Sequence, residues 1–297
     1  MKEYNLENEY LSLTVIDFGA RIHKLTYKDS VGTQEVVHSL EHQQDHLNDD
    51  TSLNAVVGRF AGRICSNSIT LNETEYPIQT INGVHLHGGV GFSKRVWKIQ
   101  SMTSGTTPSI TLSYLSKHLE DGYPGNLNVS VTYTLVEKSL EVKLEAQSDT
   151  TTLVNLTHHA YFKLDNSNKF DHLEFTIPAT YFIETNENLC PTGNLISVEG
   201  HPFDFNKPKR LESTQLDTSF VIDQSKSIEV YSPKTKMRIK ATTNQPTAVI
   251  YTPESCVGFC IETQNFTDSP NQEGFASAIL KKGEVYSNLT RYEFSRE

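Results

Sequence analysis

Apolar and polar residues alternate along much of the chain, and the clearest example runs from residue 127 to residue 146. Every second position is apolar in each half of this stretch, and the polar residues Glu137, Lys138 and Ser139 separate the halves. The apolar positions are Leu127, Val129, Val131, Tyr133 and Leu135, then Leu140, Val142, Leu144 and Ala146. A period of two is that of a β-strand with one buried face, so this stretch predicts an antiparallel hairpin.

Shorter runs with the same character occur on both sides of this hairpin. They lie at residues 11–15, 173–177, 237–241 and 247–251. Residues 41–53 are polar and rich in histidine, which predicts a short helix or a surface loop. No run shows the 3.6-residue period of a long amphipathic helix. The pattern therefore predicts an all-β protein, a large antiparallel β-sandwich forming one domain over residues 1–297.

The balance of charge limits the partners that such a protein would have. The formal net charge is −10, and the sequence contains no basic run. This disfavours nucleic acid and anionic membrane surfaces as partners. The first ten residues lack an apolar signal-peptide core, and no stretch is apolar for long enough to span a membrane. We therefore expect a cytoplasmic protein that acts on a neutral small molecule.

The four cysteines are few for a chain of 297 residues. They are Cys65, Cys190, Cys256 and Cys260. The last two are separated by three residues, which is not the two-residue spacing of a redox motif or a zinc knuckle. We expect free, buried thiols in a reducing compartment.

Two adjacent histidines, His158 and His159, stand in the run of residues 155–162. The run is apolar and β-branched, and it lies between a polar turn and a predicted loop at 165–168, so it predicts a strand. Neighbouring strand residues point to opposite faces, so these two histidines cannot serve the same purpose. A histidine in a strand is usually a satisfied structural residue, but one of this pair could face a site.

A glutamate in similar surroundings strengthens the catalytic interpretation. Glu262 lies in the run Cys-Ile-Glu-Thr-Gln at 260–264. A glutamate in an apolar run is costly to bury unless it is used or paired. A histidine that titrates near neutral pH and a buried glutamate can form an acid–base pair. We therefore expect Glu262 and one of the two histidines to share a site.

Two further pairs of side chains carry alternative interpretations. Arg59 and Arg63 either pack their stems and reach water, or offer donors to hydroxyl or carboxylate oxygens. His85 and His87 would share a face of a strand, which suits a metal pair. The same spacing suits one structural and one substrate-binding histidine. Residues 88–96 contain no carboxylate, which weakens the metal interpretation.

With these stretches described, the chain resembles the aldose 1-epimerase (galactose mutarotase) family. The motifs occur in family order over nearly the whole chain, and together they are highly specific. They are Gly-Arg-Phe-Ala-Gly-Arg-Ile at 58–64, His-Leu-His-Gly-Gly at 85–89 with Gly-Phe at 91–92 and Arg-Val-Trp at 95–97, Asp-Gly-Tyr-Pro-Gly-Asn-Leu at 121–127, Asn-Leu-Thr-His-His-Ala-Tyr-Phe at 155–162, Leu-Asp-Thr-Ser-Phe at 216–220 and Gly-Phe-Cys-Ile-Glu-Thr-Gln-Asn-Phe at 258–266.

The resemblance implies a sugar cleft on one sheet of a β-sandwich, with no metal and no organic cofactor. It implies interconversion of the α and β anomers of a free aldose, such as galactose or glucose. We expect the protein to be a monomer or homodimer. Glu262 corresponds to the general base and His159 to the general acid. The residues that correspond to sugar-binding positions are Arg63, His87, Asp217 and Tyr161. We expect burial to raise the pKa of Glu262 and a neighbouring carboxylate to keep His159 protonated.

Five positions depart from the family pattern and bear on the preferred sugar. His158 and Gly62 stand where asparagine is usual, and Val249 stands where some members carry a sugar-contacting glutamine. Ser93 replaces an acidic residue, and Thr267 replaces a proline. None of these changes removes the proposed acid or base.

Other functions remain open from the sequence. A glycoside hydrolase would use two carboxylates, for which Glu262 and Asp217 are candidates. A non-catalytic carbohydrate-binding protein would leave anomer exchange at its uncatalysed rate. A related epimerase could act on maltose, or on a hexose phosphate held by Arg59 and Arg63. A metal-dependent, cupin-like enzyme would lose activity to a chelator.

Overall fold

The computed structural model describes residues 1–167, 169–254 and 256–297, so Asn168 of the predicted 165–168 loop lies outside the described residues. In the first third of the chain the strands are β1 Glu3–Glu7, β2 Leu11–Ile16, β3 Arg21–Asp29, β4 Gly32–Glu35, β5 Val56–Val57, β6 Arg63–Ile64, β7 Ser68–Leu71, β8 Thr74–Pro77 and β9 His85–Leu86. The middle third contains β10 Lys98–Thr103, β11 Ser109–Ser116, β12 Leu127–Val136, β13 Ser139–Ser148, β14 Thr152–Leu153, β15 Thr157–His158, β16 Tyr161–Phe162, β17 Glu174–Thr176 and β18 Ala179–Thr185. The last third contains β19 Pro191–Ser197, β20 Lys209–Arg210, β21 Asp217–Ile222, β22 Ile228–Tyr231, β23 Met237–Thr243, β24 Thr247–Tyr251, β25 Phe259–Gln264, β26 Ile279–Leu280 and β27 Val285–Arg296.

Helical structure in the described residues is limited to short 3₁₀ turns. They span Gln43–Asn48, Phe92–Lys94, Glu120–Gly122 and Ser269–Asn271. The first of them lies in the polar 41–53 stretch, where a short helix or a loop was predicted. The all-β prediction is therefore confirmed. None of the described helices is long and apolar enough to cross a membrane.

Two antiparallel sheets form the body of the protein. The larger has nine strands in the order β10-β11-β12-β13-β27-β23-β22-β17-β20, and the other has six in the order β16-β25-β24-β21-β18-β19. Buried side chains from both sheets form one hydrophobic cluster, in which Val131, Leu144 and Phe294 of the larger sheet join Phe220 and Ile261 of the other. The predicted sandwich of stacked sheets is confirmed.

The alternating stretch at 127–146 forms the predicted hairpin at the centre of the larger sheet. Its strands pair from Leu127 opposite Ser148 to Val136 opposite Ser139. Along β12 the apolar positions are buried and the polar positions are exposed or half-buried. Because side chains alternate between faces, a shift of one residue would expose every apolar side chain, and this fixes the register.

Cys65 and Cys190 form a disulfide bond, with their Cα atoms 6.0 Å apart. The expectation of free thiols is therefore wrong for these two residues, and correct for Cys256 and Cys260. The bonded cysteines are 125 residues apart in sequence, so no local spacing signal relates them. The bond joins the chain just after β6 to the connection between β18 and β19.

Candidate active site

A cavity of about 600 Å³ opens on the six-stranded sheet, on the face turned away from the core. Strands β21, β24 and β25 form its floor, and part of the 38–53 stretch forms one wall. All the residues that the sequence predicts for the site line this cavity: Arg63, His87, His159, Tyr161, Asp217 and Glu262.

The register of the floor strands brings side chains from distant parts of the sequence together. Ser219 lies opposite Val249, which in turn lies opposite Glu262. In the next row, Asp217 lies opposite Tyr251. Residues two apart on a strand share a face, so both rows point toward the cavity. The floor is therefore an ordered array with Glu262 near its middle.

Glu262 and His159 are in direct contact. The Nε2 atom of His159 lies 3.4 Å from Oε1 of Glu262, and both side chains are about 95% buried. On the other side of the imidazole ring, Nδ1 lies 3.4 Å from the sulfur of Cys260. The ring also stacks on Tyr161, with centroids 4.9 Å apart and planes inclined by 14°. These contacts hold the imidazole ring against the carboxyl group of Glu262.

The backbone on either side of this contact is also fixed. The His159 N–H donates to the carbonyl of Ala55 at 2.9 Å, and the Asn54 N–H donates to the carbonyl of His159 at 3.0 Å. The hydroxyl of Tyr161 donates to the carbonyl of Thr51 at 3.1 Å. These contacts hold the backbone of His159 and the ring of Tyr161 in place, and so fix the geometry of the His159–Glu262 pair.

Burial sets the protonation of the pair. It raises the pKa of Glu262 to about 8, with Asp217 raising it further and Arg63 opposing the shift. Burial lowers the pKa of His159 to about 4. At neutral pH the shared proton therefore lies on Glu262, and His159 is neutral. The expected rise for Glu262 is confirmed. The expectation of a protonated His159 is wrong, because a neutral carboxyl group cannot offset the cost of burying an imidazolium ion.

Arg63 and Asp217 form an ion pair in the lining of the cavity. An Nη2 atom of Arg63 lies 3.2 Å from Oδ2 of Asp217, and both side chains keep part of their surface exposed. His87 lies beside them, where the N–H of Gly62 donates to its Nδ1 atom at 3.3 Å. Burial lowers the pKa of His87 well below its usual range. The imidazole of His87 is therefore neutral, with its Nε2–H left to donate.

Arg59, the other arginine of the 58–64 motif, has a structural role. Its guanidinium group is buried and donates to the carbonyls of Ser116, Pro124 and Gly125 at 2.9 to 3.0 Å. These bonds tie the motif to the turn before β12. Of the two arginines, only Arg63 lines the cavity.

His85 and His158 also lie outside the cavity lining. The ring nitrogens of His85 contact the carbonyl of Gln79 at 2.6 Å and the hydroxyl of Tyr123 at 2.8 Å. His87 has a positive φ of 52°, so it leaves the strand and does not share a face with His85. The alternative interpretation of His85 and His87 as a metal pair therefore has no support from this geometry. His158 is buried against the ring of Tyr133, on the opposite side of its strand from the cavity.

Among the described residues, His159, Cys260 and Glu262 are grouped closely enough to be considered as metal ligands, with ligand atoms within 4.8 Å of one another. Metal ligands must first lose their protons. Burial raises the pKa of Cys260 well above its usual range and that of Glu262 to about 8. A metal ion would have to displace both protons, which lowers the affinity that this donor set can offer at neutral pH.

Several cavity residues were not predicted from the sequence. The 38–53 stretch contributes acidic side chains, of which Asp49 is held by Arg21 at 2.6 Å. Gln264 could have been found, because it stands two residues after Glu262 on one strand and so shares its face. Ser219 could have been found only from strand pairing, which this sequence does not specify.

The family model described as Aldose 1-epimerase matches residues 2–293 of this chain. The chain belongs to the aldose 1-epimerase family. Galactose mutarotase from Sus scrofa is 35% identical over 99% of this chain and 94% of its own length. The solved structure of an aldose epimerase homologue from C. elegans has a TM-score of 0.92 at 28% identity, covering 99% of both chains. Galactose 1-epimerase from Lactobacillus acidophilus has a TM-score of 0.89 at 25% identity, covering 99% of this chain and 94% of its own.

As an aldose 1-epimerase, the protein is an isomerase that interconverts the α and β anomers of an aldose. The resemblance noted in the sequence is confirmed over nearly the whole chain. The relatives do not favour the alternative of a non-catalytic carbohydrate-binding protein.

Proposed function

We propose that this aldose 1-epimerase equilibrates the anomers of a free aldohexose such as galactose, with Glu262 and His159 transferring the protons. The observation that carries this proposal is the buried contact of 3.4 Å between the two side chains. With pKa values of about 8 and about 4, the pair holds one proton throughout the neutral range. Mutarotation needs one group that takes a proton and one that gives a proton, and a singly protonated pair supplies both.

The reaction begins with a proton transfer inside the pair, from Glu262 to His159. Asp49 and Arg63 favour this transfer, whereas burial, Asp217 and Arg21 oppose it, so the state with the proton on His159 is a minor one that is formed on the way to reaction. The carboxylate of Glu262 then takes the proton of the anomeric hydroxyl group. His159 gives its proton to the ring oxygen, and the bond between C1 and that oxygen breaks.

The open-chain aldehyde then rotates about the bond between C1 and C2. On closure the roles reverse: His159 removes the proton from the former ring oxygen as it attacks C1, and Glu262 returns a proton to the carbonyl oxygen. The bond that broke is remade with the other configuration at C1. No proton is gained or lost over the cycle, so the pair is ready for the next sugar.

We propose that four cavity residues orient the sugar: Arg63, Asp217, His87 and Tyr161. The partly exposed Arg63 and Asp217 offer a donor and an acceptor at the cavity, and the neutral His87 offers an Nε2–H. Tyr161 holds the imidazole ring by stacking. Holding C1 and the ring oxygen against the pair would lower the barrier by positioning.

A neutral sugar fits the cavity better than a hexose phosphate does. Arg59 is occupied by backbone carbonyls, so Arg63 is the remaining arginine of its motif. Acidic side chains of Asp45, Asp50 and Asp217 also line the cavity. A phosphate group would be repelled by these carboxylates, whereas sugar hydroxyl groups can donate to them.

We also propose that the protein works in the cytoplasm, as one domain, as a monomer or homodimer, and without a cofactor. The net charge of −10 is compatible with this location. The bond between Cys65 and Cys190 is unusual in a reducing compartment. Rapid acid quenching and alkylation of cells would decide the point: alkylated Cys65 and Cys190 would support the cytoplasm, and a protected pair would contradict it.

Polarimetry on freshly dissolved α-galactose and α-glucose tests the proposed reaction. The wild-type protein should speed the approach to the same final rotation, and Glu262→Gln should not. Maltose and galactose 6-phosphate extend the substrate comparison, and release of reducing sugar from a galactoside would indicate a hydrolase instead. If Glu262→Gln kept most of the rate, the catalytic assignment would be wrong.

A further inference from the structure

Two polar side chains in the floor of the cavity have no hydrogen-bond partner among the described residues. Both polar atoms of the Gln264 amide are unpaired, and so is the hydroxyl oxygen of Ser219. Gln264 is 0% exposed and Ser219 is 7% exposed, and both line the cavity. Buried polar groups are nearly always paired in folded proteins, so these two call for an explanation.

Their positions relate them to the proton-transfer pair. Gln264 stands two residues after Glu262 on β25, so it lies on the same face and further along the strand. Ser219 lies in the same row as Glu262, with Val249 between them. The side chain of Val249 has no hydrogen-bonding group, so it offers Ser219 no partner. The two unpaired groups therefore flank Glu262 in two directions across the floor.

The backbone around Gln264 leaves space for its amide. A Cβ atom at Gly62 would lie 3.2 Å from Nε2 of Gln264 and 2.6 Å from the hydroxyl oxygen of Thr267. Gly62 also has a φ of +78°, which residues with a side chain rarely adopt. The glycine therefore keeps the corner between Arg63 and β25 free of a competing side chain.

We propose that the amide of Gln264 and the hydroxyl of Ser219 bind hydroxyl groups of the sugar and so determine which aldose is preferred. The inference rests on the proposed function and adds the recognition of individual hydroxyl groups to it. A sugar hydroxyl both donates and accepts, so it can pair with the carbonyl oxygen and the NH₂ of the amide. Bound sugar would then pair with polar groups that have no hydrogen-bond partner among the described residues.

Kinetics with deoxy sugars test this assignment. The variants are Gln264→Met, which keeps the length of the side chain, and Ser219→Ala. The substrates are galactose, glucose, 2-deoxygalactose and 6-deoxygalactose, all of which keep the reacting C1 and ring oxygen. Gln100→Met serves as a control, because Gln100 lies on exposed β10, outside the cavity.

We expect KM for galactose to rise about 2- to 10-fold in each cavity variant, as for the loss of an ordinary hydrogen bond, with a smaller change in kcat. At least one of the other sugars should lack or invert the hydroxyl that the substituted side chain binds. Its KM should already be high in the wild-type protein and should not rise further in the variant. The Tm of Gln264→Met should be equal to or above that of the wild-type protein, because an unpaired buried amide has been removed.

Two results would overturn the inference. One is an equal loss on all four sugars, which would mean that the side chains bind ordered water or support the floor. The other is a fall in kcat with KM unchanged. Absence of mutarotation in the wild-type protein would instead refute the proposed function itself, so the two failures are distinguishable.

Discussion

The free energy of unfolding should fall as the pH rises because Glu262 keeps its proton in the folded protein. Glu262→Gln should remove this effect. Burial raises the pKa of Glu262 from 4.5 to about 8 in the folded state. Between these values the unfolded chain has released the proton and the folded protein has kept it. Stability therefore falls as pH rises, at ~1.4 kcal/mol per pH unit. The contribution is complete below pH 4.5 and is lost as pH rises through about 8.

The size of the effect makes it measurable. Over the whole interval the loss amounts to ~5 kcal/mol, a large part of the stability of an ordinary domain. The buried histidines act in the opposite direction, because burial lowers the pKa of His159 to about 4 and that of His158 to about 3. Their contribution is still changing near their unfolded pKa of 6.5, so Glu262 is isolated by comparing the wild-type protein with Glu262→Gln, which keeps the same histidines.

Urea unfolding at pH 6.5, 7.0 and 7.5 provides the assay. Relative to Glu262→Gln, the wild-type protein should lose roughly 1.2 kcal/mol across this range, because Glu262 begins to release its proton near the upper end. Glu199→Gln is the matched control, since it removes an exposed carboxylate outside the cavity and should follow the wild-type protein. Parallel pH profiles for Glu262→Gln and the wild-type protein would refute the proposed protonation of Glu262.

Three further predictions concern the rate and the fold. The pH–rate profile for galactose should be bell-shaped, with limbs near the pKa values of about 4 and about 8, and a lower limb near 6.5 would contradict the neutral His159. His159→Asn should lower kcat by about 100-fold or more, whereas Arg63→Ala should mainly raise KM; polarimetry over a range of sugar concentrations separates these effects. Arg59→Met should lower the free energy of unfolding by about 3 kcal/mol or more, because it leaves buried carbonyls without donors, and urea unfolding that matches the wild-type protein would contradict its structural role.

The sequence predicts this fold well where the pattern of side chains is local. The hairpin of β12 and β13 follows from strict alternation, and its register follows from the burial of one face. The six motifs likewise locate the predicted site residues, which all line one cavity. Of the two arginines in one motif, the family resemblance singled out Arg63. The residues alone left the two equivalent, and the contacts of Arg59 with Ser116 and Gly125 distinguish them.

Features that depend on distant contacts could not be predicted. The disulfide joins residues 125 positions apart, and the expected thiols followed from composition alone. The location of the shared proton depends on how completely the fold buries His159 and Glu262, and periodicity does not report this. Ser219 enters the site through pairing with Val249, and antiparallel pairing between segments 30 residues apart has many alternatives in such a sequence.

In the floor of the cavity, the residue proposed for proton transfer is not one of the residues proposed to recognise the sugar. This bears on how the sugar preference of such enzymes can change. The ladder of hydrogen bonds between β21, β24 and β25 is made by the backbone, so side chains such as Ser219 and Val249 can be exchanged without altering it. Glu262 stays in place while the surface around it changes. A new sugar preference could therefore arise by single substitutions in the neighbouring rows, and directed evolution of this enzyme should begin there.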